Sequence, residues 1–110
     1  MSSLAPSRQE DLRAIAALPS DAILIDVRSY AEYMGGHIAE AHSVPLSHIE
    51  KEVVHKVPNR AAPVILYCSS GARSEQALGV MQHMGYSNVH NGGGATHLAL
   101  HLGKQIRQGM

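Results

Sequence analysis

The only cysteine of this 110-residue chain, Cys68, stands at the start of a segment of small and polar residues that reads Cys-Ser-Ser-Gly-Ala-Arg-Ser up to Ser74. A tight loop of this composition lets successive backbone N–H groups point inward and bind an anion, and Gly71 gives the backbone freedom to curl. Arg73 adds a full positive charge, and the N-terminus of a following helix adds a partial one. Such surroundings lower the pKa of a cysteine from about 8.5 to between about 3.5 and 7.5. We therefore expect Cys68 to ionise at neutral pH without a histidine base.

The presence of a single cysteine limits the other kinds of cysteine chemistry that are possible. A single cysteine rules out an internal disulfide, a Cys-x-x-Cys redox pair and a zinc site built on paired cysteines. Free cysteines are often inert and buried, so the case for a reactive Cys68 depends on the loop that follows it. If Cys68 reacts, its partner must come from another molecule.

Two other features suggest cofactors only superficially. His97 and His101 are four residues apart on a predicted helix, but no Glu lies between them as in the zincin motif, and no third ligand is evident. Gly92–Gly94 lacks the Gly-Lys-Ser/Thr that follows a phosphate-binding loop. We expect neither a metal nor an organic cofactor.

Short apolar runs predict the strands that position the cysteine. Residues 22–25 read Ala-Ile-Leu-Ile and stop at Asp26, and residues 64–67 read Val-Ile-Leu-Tyr and lead into Cys68. Runs of this length without polar alternation are typical of parallel strands buried on both faces. Weaker patterns suggest two further strands, at 43–46 and 88–90.

Helical patterns alternate with these runs. Three capping boxes, in which a Ser precedes a Glu by three residues, open predicted helices at 7–10, 29–32 and 47–50. A fourth helix is expected from about Ser74 to a cap at Gly85, and a fifth after Gly92–Gly94, containing Leu98, Leu100 and Ile106. Strands alternating with helices indicate an α/β fold with three layers, a central parallel sheet of four or five strands and helices on both faces. In such sheets ligands bind where strands lead into helices, which is the position of Cys68.

Length and composition limit the domain organisation of the protein and the partners that it can bind. The length fits one domain over residues 1–110. Nine basic and nine acidic residues cancel, so the positive field that nucleic acid or an anionic membrane requires is not expected. The N-terminal residues have neither the basic start nor the apolar run of a signal peptide, which favours a cytoplasmic protein. A periplasmic location stays open if a signal peptide has been removed.

Three motifs in order resemble the rhodanese family. The segment Cys68–Ser74 is similar to its active-site loop, Cys-Arg-x-Gly-x-Arg-Ser/Thr. Residues 24–28 (Leu-Ile-Asp-Val-Arg), then Glu-Tyr at 32–33 and Gly-His-Ile at 36–38, resemble the N-terminal pattern of the family. Residues 84–89 (Met-Gly-Tyr-Ser-Asn-Val) and the glycines after them resemble its C-terminal pattern. Among small rhodaneses the chain is most similar to the phage-shock-protein E type, in which Asn-x-Gly-Gly also follows the last strand, as it does here from Asn91.

The resemblance implies a sulfurtransferase in which Cys68 is the catalytic nucleophile and carries a persulfide. The donor would be a small anion, thiosulfate or a persulfide, and the acceptor a thiol, either a small molecule or a protein. The implied substrate-binding residues are Ser69, Ser70, Gly71, Ala72, Arg73 and Ser74. Asp26 and Arg28 would brace the loops from behind. Ser69 departs from the family pattern, because that position is usually Arg and the site therefore lacks one positive charge.

Two other functions stay open. Cysteine phosphatases and arsenate reductases use a similar cradle, but their pattern is Cys-x5-Arg, one residue longer than the interval from Cys68 to Arg73. The chain could also be a persulfide carrier without turnover, or a protein-interaction module. Cys68 argues against a pure interaction module, because inactive rhodanese domains often lack this cysteine.

Overall fold

The computed structural model describes residues 18–110, and the helix predicted after residues 7–10 lies outside them. These described residues form six strands: β1 (Ile23–Asp26), β2 (His37–Ile38), β3 (His42–Ser43), β4 (Val64–Cys68), β5 (Val89–Gly94) and β6 (Ile106–Arg107). The same part of the chain contains four α-helices: α1 (Tyr30–Gly35), α2 (Ile49–Lys56), α3 (Ala72–His83) and α4 (Ala95–Leu102). Between residues 18 and 110 no helix is long and apolar enough to cross a lipid bilayer.

The central sheet has four parallel strands in the order β3-β1-β4-β5. Strand β4 lies between β1 and β5, and all five of its residues are buried. A strand covered on both faces carries mainly apolar side chains, which explains the continuous apolar run of the sequence. The predicted α/β fold with a central parallel sheet of four or five strands is confirmed.

Side chains of β4 alternate between two apolar layers, because successive residues of a strand point to opposite faces. Val64, Leu66 and Cys68 belong to the layer that also contains buried residues of α2 and α3. Ile65 and Tyr67 belong to the layer that contains buried residues of α4. The sheet is thus covered by helices on both faces, and Cys68 lies on the face covered by α3.

Helix α3 begins at Ala72 rather than at about Ser74, so the prediction of its start was two residues late. Gly71 has φ +99°, a left-handed conformation that favours glycine, and it directs the chain into the helix immediately after the loop. The Gly71 carbonyl then accepts the N–H of Glu75 at 3.0 Å. Arg73 and Ser74 therefore belong to the first turn of α3.

One predicted capping box forms and another does not. Ser29 caps α1, since its hydroxyl accepts the N–H of Glu32 while the Glu32 carboxylate accepts the N–H of Ser29. The box at 47–50 was wrong, because residues 46–48 form a 3₁₀ turn and α2 follows with no side-chain cap. The His48 N–H bonds to the Pro45 carbonyl instead, and the Ser47 hydroxyl contacts the His48 ring.

Three other boundaries differ from the prediction. The strand predicted at 43–46 is β3 at 42–43, and it ends before Pro45, which lacks an N–H to donate. The strand predicted at 88–90 extends through the glycines as β5. Ile106 does not belong to the last helix, because Gly103 (φ +68°) ends α4 and residues 106–107 pair antiparallel with β2.

Candidate active site

The site is built on the connection from β4 to α3, where Ser69, Ser70 and Gly71 separate Cys68 from the helix. So short a connection folds the chain back over the end of the strand. The side chain of Cys68 is fully buried, whereas Ser69 and Ser70 are exposed. The loop therefore forms the wall between the thiol and solvent.

Hydrogen-bond donors surround the Cys68 sulfur. The Gly71 N–H donates to Sγ at 2.9 Å, and the Ser74 hydroxyl lies 3.5 Å from Sγ. Burial raises the pKa of the Cys68 thiol, but hydrogen bonds from the Ser74 side chain and from the backbone N–H groups of Ser74, Ser70 and Gly71 outweigh it and lower the pKa to about 7. A thiolate is thus well populated at neutral pH.

The donors that lower this pKa differ in part from those predicted. The backbone N–H groups of Ser70 and Gly71 belong to the loop whose N–H groups were expected to point inward. The Ser74 hydroxyl was not expected to do so, and it is the largest of the contributions that lower the pKa. A rhodanese-type Ser/Thr at this position was the only sequence signal for it.

Arg73 is held by a carboxylate that the sequence interpretation had treated only as part of a helix cap and a family motif. Its Nη1 lies 2.7 Å from Oε1 of Glu32, and its Nη2 lies 3.0 Å from Oε2, which is a bidentate pair. The hydrogen bond from Arg73 is the main reason that the pKa of Glu32 falls to about 2. Arg73 is partly exposed, with a side-chain exposure of 38%.

Ser69 joins this pair at the outer face of the loop. Its hydroxyl accepts from Nη2 of Arg73 at 3.2 Å and donates to Oε2 of Glu32 at 3.4 Å. The residue that replaces the usual family Arg therefore bridges the ion pair. The positive charge that Arg73 brings to the site is already balanced by Glu32.

Asp26 and Arg28 form a second bidentate pair, one strand away from Cys68. Asp26 is fully buried, and Arg28 donates to both of its carboxylate oxygens through Nε and Nη2, at 2.6 to 3.1 Å. Arg28 also donates to the Gly36 carbonyl, and its guanidinium lies 5.8 Å from the centre of the Tyr67 ring. The pair ties the end of β1 to the turn after α1 and to the residue that precedes Cys68.

Asn91 on β5 is a site residue that the sequence interpretation had quoted only as part of a family motif. Its Nδ2 donates to the Gly71 carbonyl at 3.0 Å and to Oε1 of Glu75 at 2.9 Å. Its Oδ1 accepts from the Ser74 hydroxyl at 2.6 Å and from the Gly93 N–H at 2.9 Å. One amide thus joins the loop, the first turn of α3 and the end of β5.

Glycines let the end of β5 approach the loop. A Cβ on Gly94 would lie 2.6 Å from the Ser69 carbonyl oxygen, and a Cβ on Gly92 would lie 2.7 Å from the side chains of Ile65 and Leu98. Both distances are shorter than atoms tolerate, so side chains are excluded here for steric reasons. This close approach brings Asn91 within reach of Gly71.

A cleft of about 310 Å³ opens beside the loop. Its lining consists of Arg28, Ser69, Gly94, Ala95, Thr96 and His97. His97 and His101 are both exposed on α4. The cleft reaches the loop at Ser69, one residue from the nucleophile candidate.

Residues 9–96 match the model of the rhodanese-like domain family. The chain belongs to the rhodanese family. Sulfur transfer is the general activity that this membership supports, with a sulfur donor and a sulfur acceptor as the two partners. The three motifs that resemble rhodaneses in the sequence are thereby confirmed as a family relationship.

Relatives of this rhodanese include proteins of two kinds. It is 34% identical over 76 residues to the thiosulfate sulfurtransferase PspE of Escherichia coli K12, which covers 69% of this chain and 73% of PspE. It is 29% identical over 88 residues to the tRNA uridine(34) hydroxylase of Sodalis glossinidius, covering 76% of this chain but 25% of the hydroxylase. Among solved structures, a rhodanese with anions from E. coli superimposes with a TM-score of 0.73 at 31% identity, covering 80% of this chain and 99% of that one.

Proposed function

We propose that this rhodanese is a sulfurtransferase that carries one sulfur atom as a persulfide on Cys68. The observation that supports this most strongly is the environment of the sulfur, which ends a buried strand and accepts the Gly71 N–H at 2.9 Å. A pKa of about 7 supplies the thiolate that nucleophilic attack requires. The name of PspE, a thiosulfate sulfurtransferase, is consistent with this chemistry.

The proposed reaction has two displacement steps. The Cys68 thiolate attacks the outer sulfur of thiosulfate or of a persulfide, the S–S bond of the donor breaks, and sulfite or a thiolate leaves with the electron pair. An acceptor thiolate, or cyanide in the test tube, then attacks the outer sulfur on Cys68. The bond between the two sulfurs breaks, and the Cys68 thiolate is regenerated.

The loop residues take different parts in this proposal. Backbone N–H groups of the segment 69–74 hold the negative charge of the thiolate and of the persulfide, and the Ser74 hydroxyl faces the sulfur. The exposed residues Ser69, Ser70 and Ala72 form the rim where the leaving group of the donor would lie. Arg73 orients an anionic donor from this rim. Asp26 and Arg28 hold the end of β1 beside the strand that carries Cys68.

Charge at the rim favours a persulfide over thiosulfate as the donor. Thiosulfate carries two negative charges, and its binding depends on cations that are free to face it. Arg73 is engaged by Glu32, and Ser69 stands where the family usually has Arg. We infer that a persulfide, with its smaller charge, is the better substrate.

Steady-state kinetics with a panel of donors tests this function. We expect higher kcat/KM for a low-molecular-weight persulfide than for thiosulfate, with a thiol as acceptor and with the Cys68→Ser variant inactive. Turnover of aryl phosphate by the wild-type protein would favour the phosphatase alternative. Loading of Cys68 without turnover in the presence of any thiol would identify a carrier instead of an enzyme.

A further inference from the structure

The Ser74 hydroxyl has one hydrogen and three acceptors within reach. Asn91 Oδ1 lies 2.6 Å from Ser74 Oγ, the Gly71 carbonyl oxygen 3.1 Å and the Cys68 sulfur 3.5 Å. A hydroxyl can donate only one strong hydrogen bond at a time. The shortest contact is the one to Asn91, so this geometry assigns the Ser74 proton to the amide oxygen.

A Ser74 proton donated to Asn91 is compatible with a protonated Cys68. When Cys68 is a thiol, its S–H can donate to Ser74 Oγ while Ser74 donates to Asn91, and every hydrogen has an acceptor. When Cys68 is a thiolate, the sulfur has no hydrogen and attracts donors. The Ser74 hydroxyl must then turn from Asn91 to the sulfur if it is to stabilise the negative charge.

Asn91 is held so that it can compete for this proton. Its Nδ2 group donates to the Gly71 carbonyl and to the Glu75 carboxylate. These two acceptors fix the orientation of the amide, so that Oδ1 faces Ser74. When Ser74 turns away, Oδ1 still accepts the Gly93 N–H at 2.9 Å. The amide oxygen therefore keeps a partner in both states of the cysteine.

We propose that Asn91 is a positioning residue that holds the Ser74 hydroxyl proton while Cys68 is a thiol and yields it to the sulfur when Cys68 ionises. The proton that leaves the site is that of the cysteine, while Ser74 keeps its own and only reorients it. Because the thiolate gains the Ser74 bond only by taking it from Asn91, the amide keeps the cysteine pKa higher than Ser74 alone would set it. The inference deepens the proposed function, since it concerns the same nucleophile.

Charged groups elsewhere around Cys68 are the same in both states of the hydroxyl. They are the Asp26–Arg28 pair at the end of β1, the Glu32–Arg73 pair between α1 and α3, and Glu75 on α3. Two of the carboxylates are paired with arginines, and Glu75 is bound to Asn91 itself. A comparison of variants must therefore separate the hydroxyl from the general effect of changing Asn91.

A double-mutant cycle in Ser74 and Asn91 makes this separation. The pKa of Cys68 is measured from the ¹³Cβ resonance of labelled cysteine, a single signal because the chain has one cysteine. Ser74→Ala should raise the pKa in the wild-type protein. In the Asn91→Ala background it should raise the pKa by about 0.5 to 1 more, because the hydroxyl there serves the thiolate without competition. An effect of Asn91→Ala on the Cys68 pKa that does not depend on the hydroxyl is present with Ser74 and with Ala at this position, so the cycle subtracts it.

A second double-mutant cycle uses Asn91→Asp, whose carboxylate accepts the Ser74 hydroxyl proton more strongly than the amide does. In this background Ser74→Ala should raise the pKa by less than in the wild-type protein, so either cycle tests the inference if the other variant does not fold. The control is Asn88→Ala, since Asn88 contacts His90 and should leave the effect of Ser74→Ala unchanged.

If Asn91 merely supports Ser74 in donating to the sulfur, Ser74→Ala will have a smaller effect after Asn91→Ala, and the inference is wrong. Equal effects in all backgrounds also overturn it. The measurement uses no sulfur donor, so it can fail while the protein still transfers sulfur. The inference about Asn91 can also be correct if the protein transfers no sulfur.

Discussion

At the scale of single residues, the protonation of Cys68 controls the proposed chemistry. Only the thiolate attacks sulfur, and the pKa of this thiol is lowered to about 7 by its hydrogen bonds. The rate of persulfide formation should therefore rise about tenfold per pH unit well below pH 7 and level off above it. Single-turnover kinetics between pH 5 and pH 9, with a donor that does not titrate in this range, measures the midpoint. A midpoint near that of an unperturbed cysteine, about 8.5, would contradict the assigned hydrogen bonds.

Arg73 gives a second prediction at this scale. Arg73→Ala should lower kcat/KM for thiosulfate by roughly 10²-fold or more, because a charge at the donor is lost and Glu32 is left unpaired. The double variant Arg73→Ala with Glu32→Ala should recover part of this loss. Lys51→Ala on the exposed side of α2 is the matched charge control. Full activity in a folded Arg73→Ala variant would show that Arg73 takes no part in binding the donor.

Ser69 gives a third prediction, on the selection of the donor. Ser69→Arg should raise kcat/KM for thiosulfate by roughly tenfold, since a charge-assisted hydrogen bond contributes about 1.5–3 kcal/mol. The Ser69 hydroxyl lies 3.4 Å from Glu32, so two arginines would share one carboxylate and leave a net positive charge. The same substitution should change kcat/KM for a persulfide much less. An unchanged or lower value for thiosulfate would show that position 69 does not face the donor.

Sequence alone predicts the residues that one short motif contains and misses those that other elements bring to it. The segment from Cys68 to Ser74 could be read as a site because the nucleophile, the glycine and the arginine are contiguous. Glu32 and Asn91 lie 41 residues before Arg73 and 17 residues after Ser74, respectively. Nothing in their local sequence states which side chain they contact, and only the family motifs marked them.

At the scale of elements, the end of β5 must lie directly against the loop. Gly94→Ala would place a Cβ 2.6 Å from the Ser69 carbonyl, so the loop or the strand must shift. We expect a loss of about 1–3 kcal/mol in the free energy of unfolding, together with slower persulfide formation. Denaturant unfolding and single-turnover kinetics measure the two effects.

Gly79→Ala is the matched control for this prediction. Gly79 is exposed within α3, and a Cβ there meets nothing within 4 Å. Alanine should stabilise the helix by about 0.4–1 kcal/mol and leave sulfur transfer unchanged. Equal behaviour of the two variants would mean that the approach of β5 to the loop does not matter.

Elements were predictable where burial determines the composition and unpredictable where a tertiary contact overrides a local signal. The apolar runs gave β1 and β4 to within one residue, because both strands are buried on the two faces of the sheet. The capping box at 47–50 failed because a 3₁₀ turn after Pro45 starts the helical path earlier. Ile106 was assigned to a helix, but its partner is Ile38, 68 residues away along the chain.

At the scale of the whole molecule, the fold brings parts of four elements together at the carboxyl ends of the parallel strands. The ends of β1 and β4, the first turn of α3 and the end of β5 meet where ligands bind in open α/β sheets. The organisation as one domain over residues 1–110 stays a prediction. The choice between sulfur transfer and phosphate chemistry depends on the short interval from Cys68 to Arg73, which favours one sulfur atom over a tetrahedral oxyanion.

Intact-mass analysis after incubation with a sulfur donor tests the central claim most directly. The reduced wild-type protein should gain the mass of a single sulfur atom, and cyanide or dithiothreitol should remove it. Cys68→Ser should gain none, and because Cys68 is the only thiol, an adduct on the wild-type protein has no other cysteine to occupy. A wild-type protein that never acquires cyanide-labile sulfur from thiosulfate or persulfide, yet hydrolyses aryl phosphate efficiently, would contradict the proposed function.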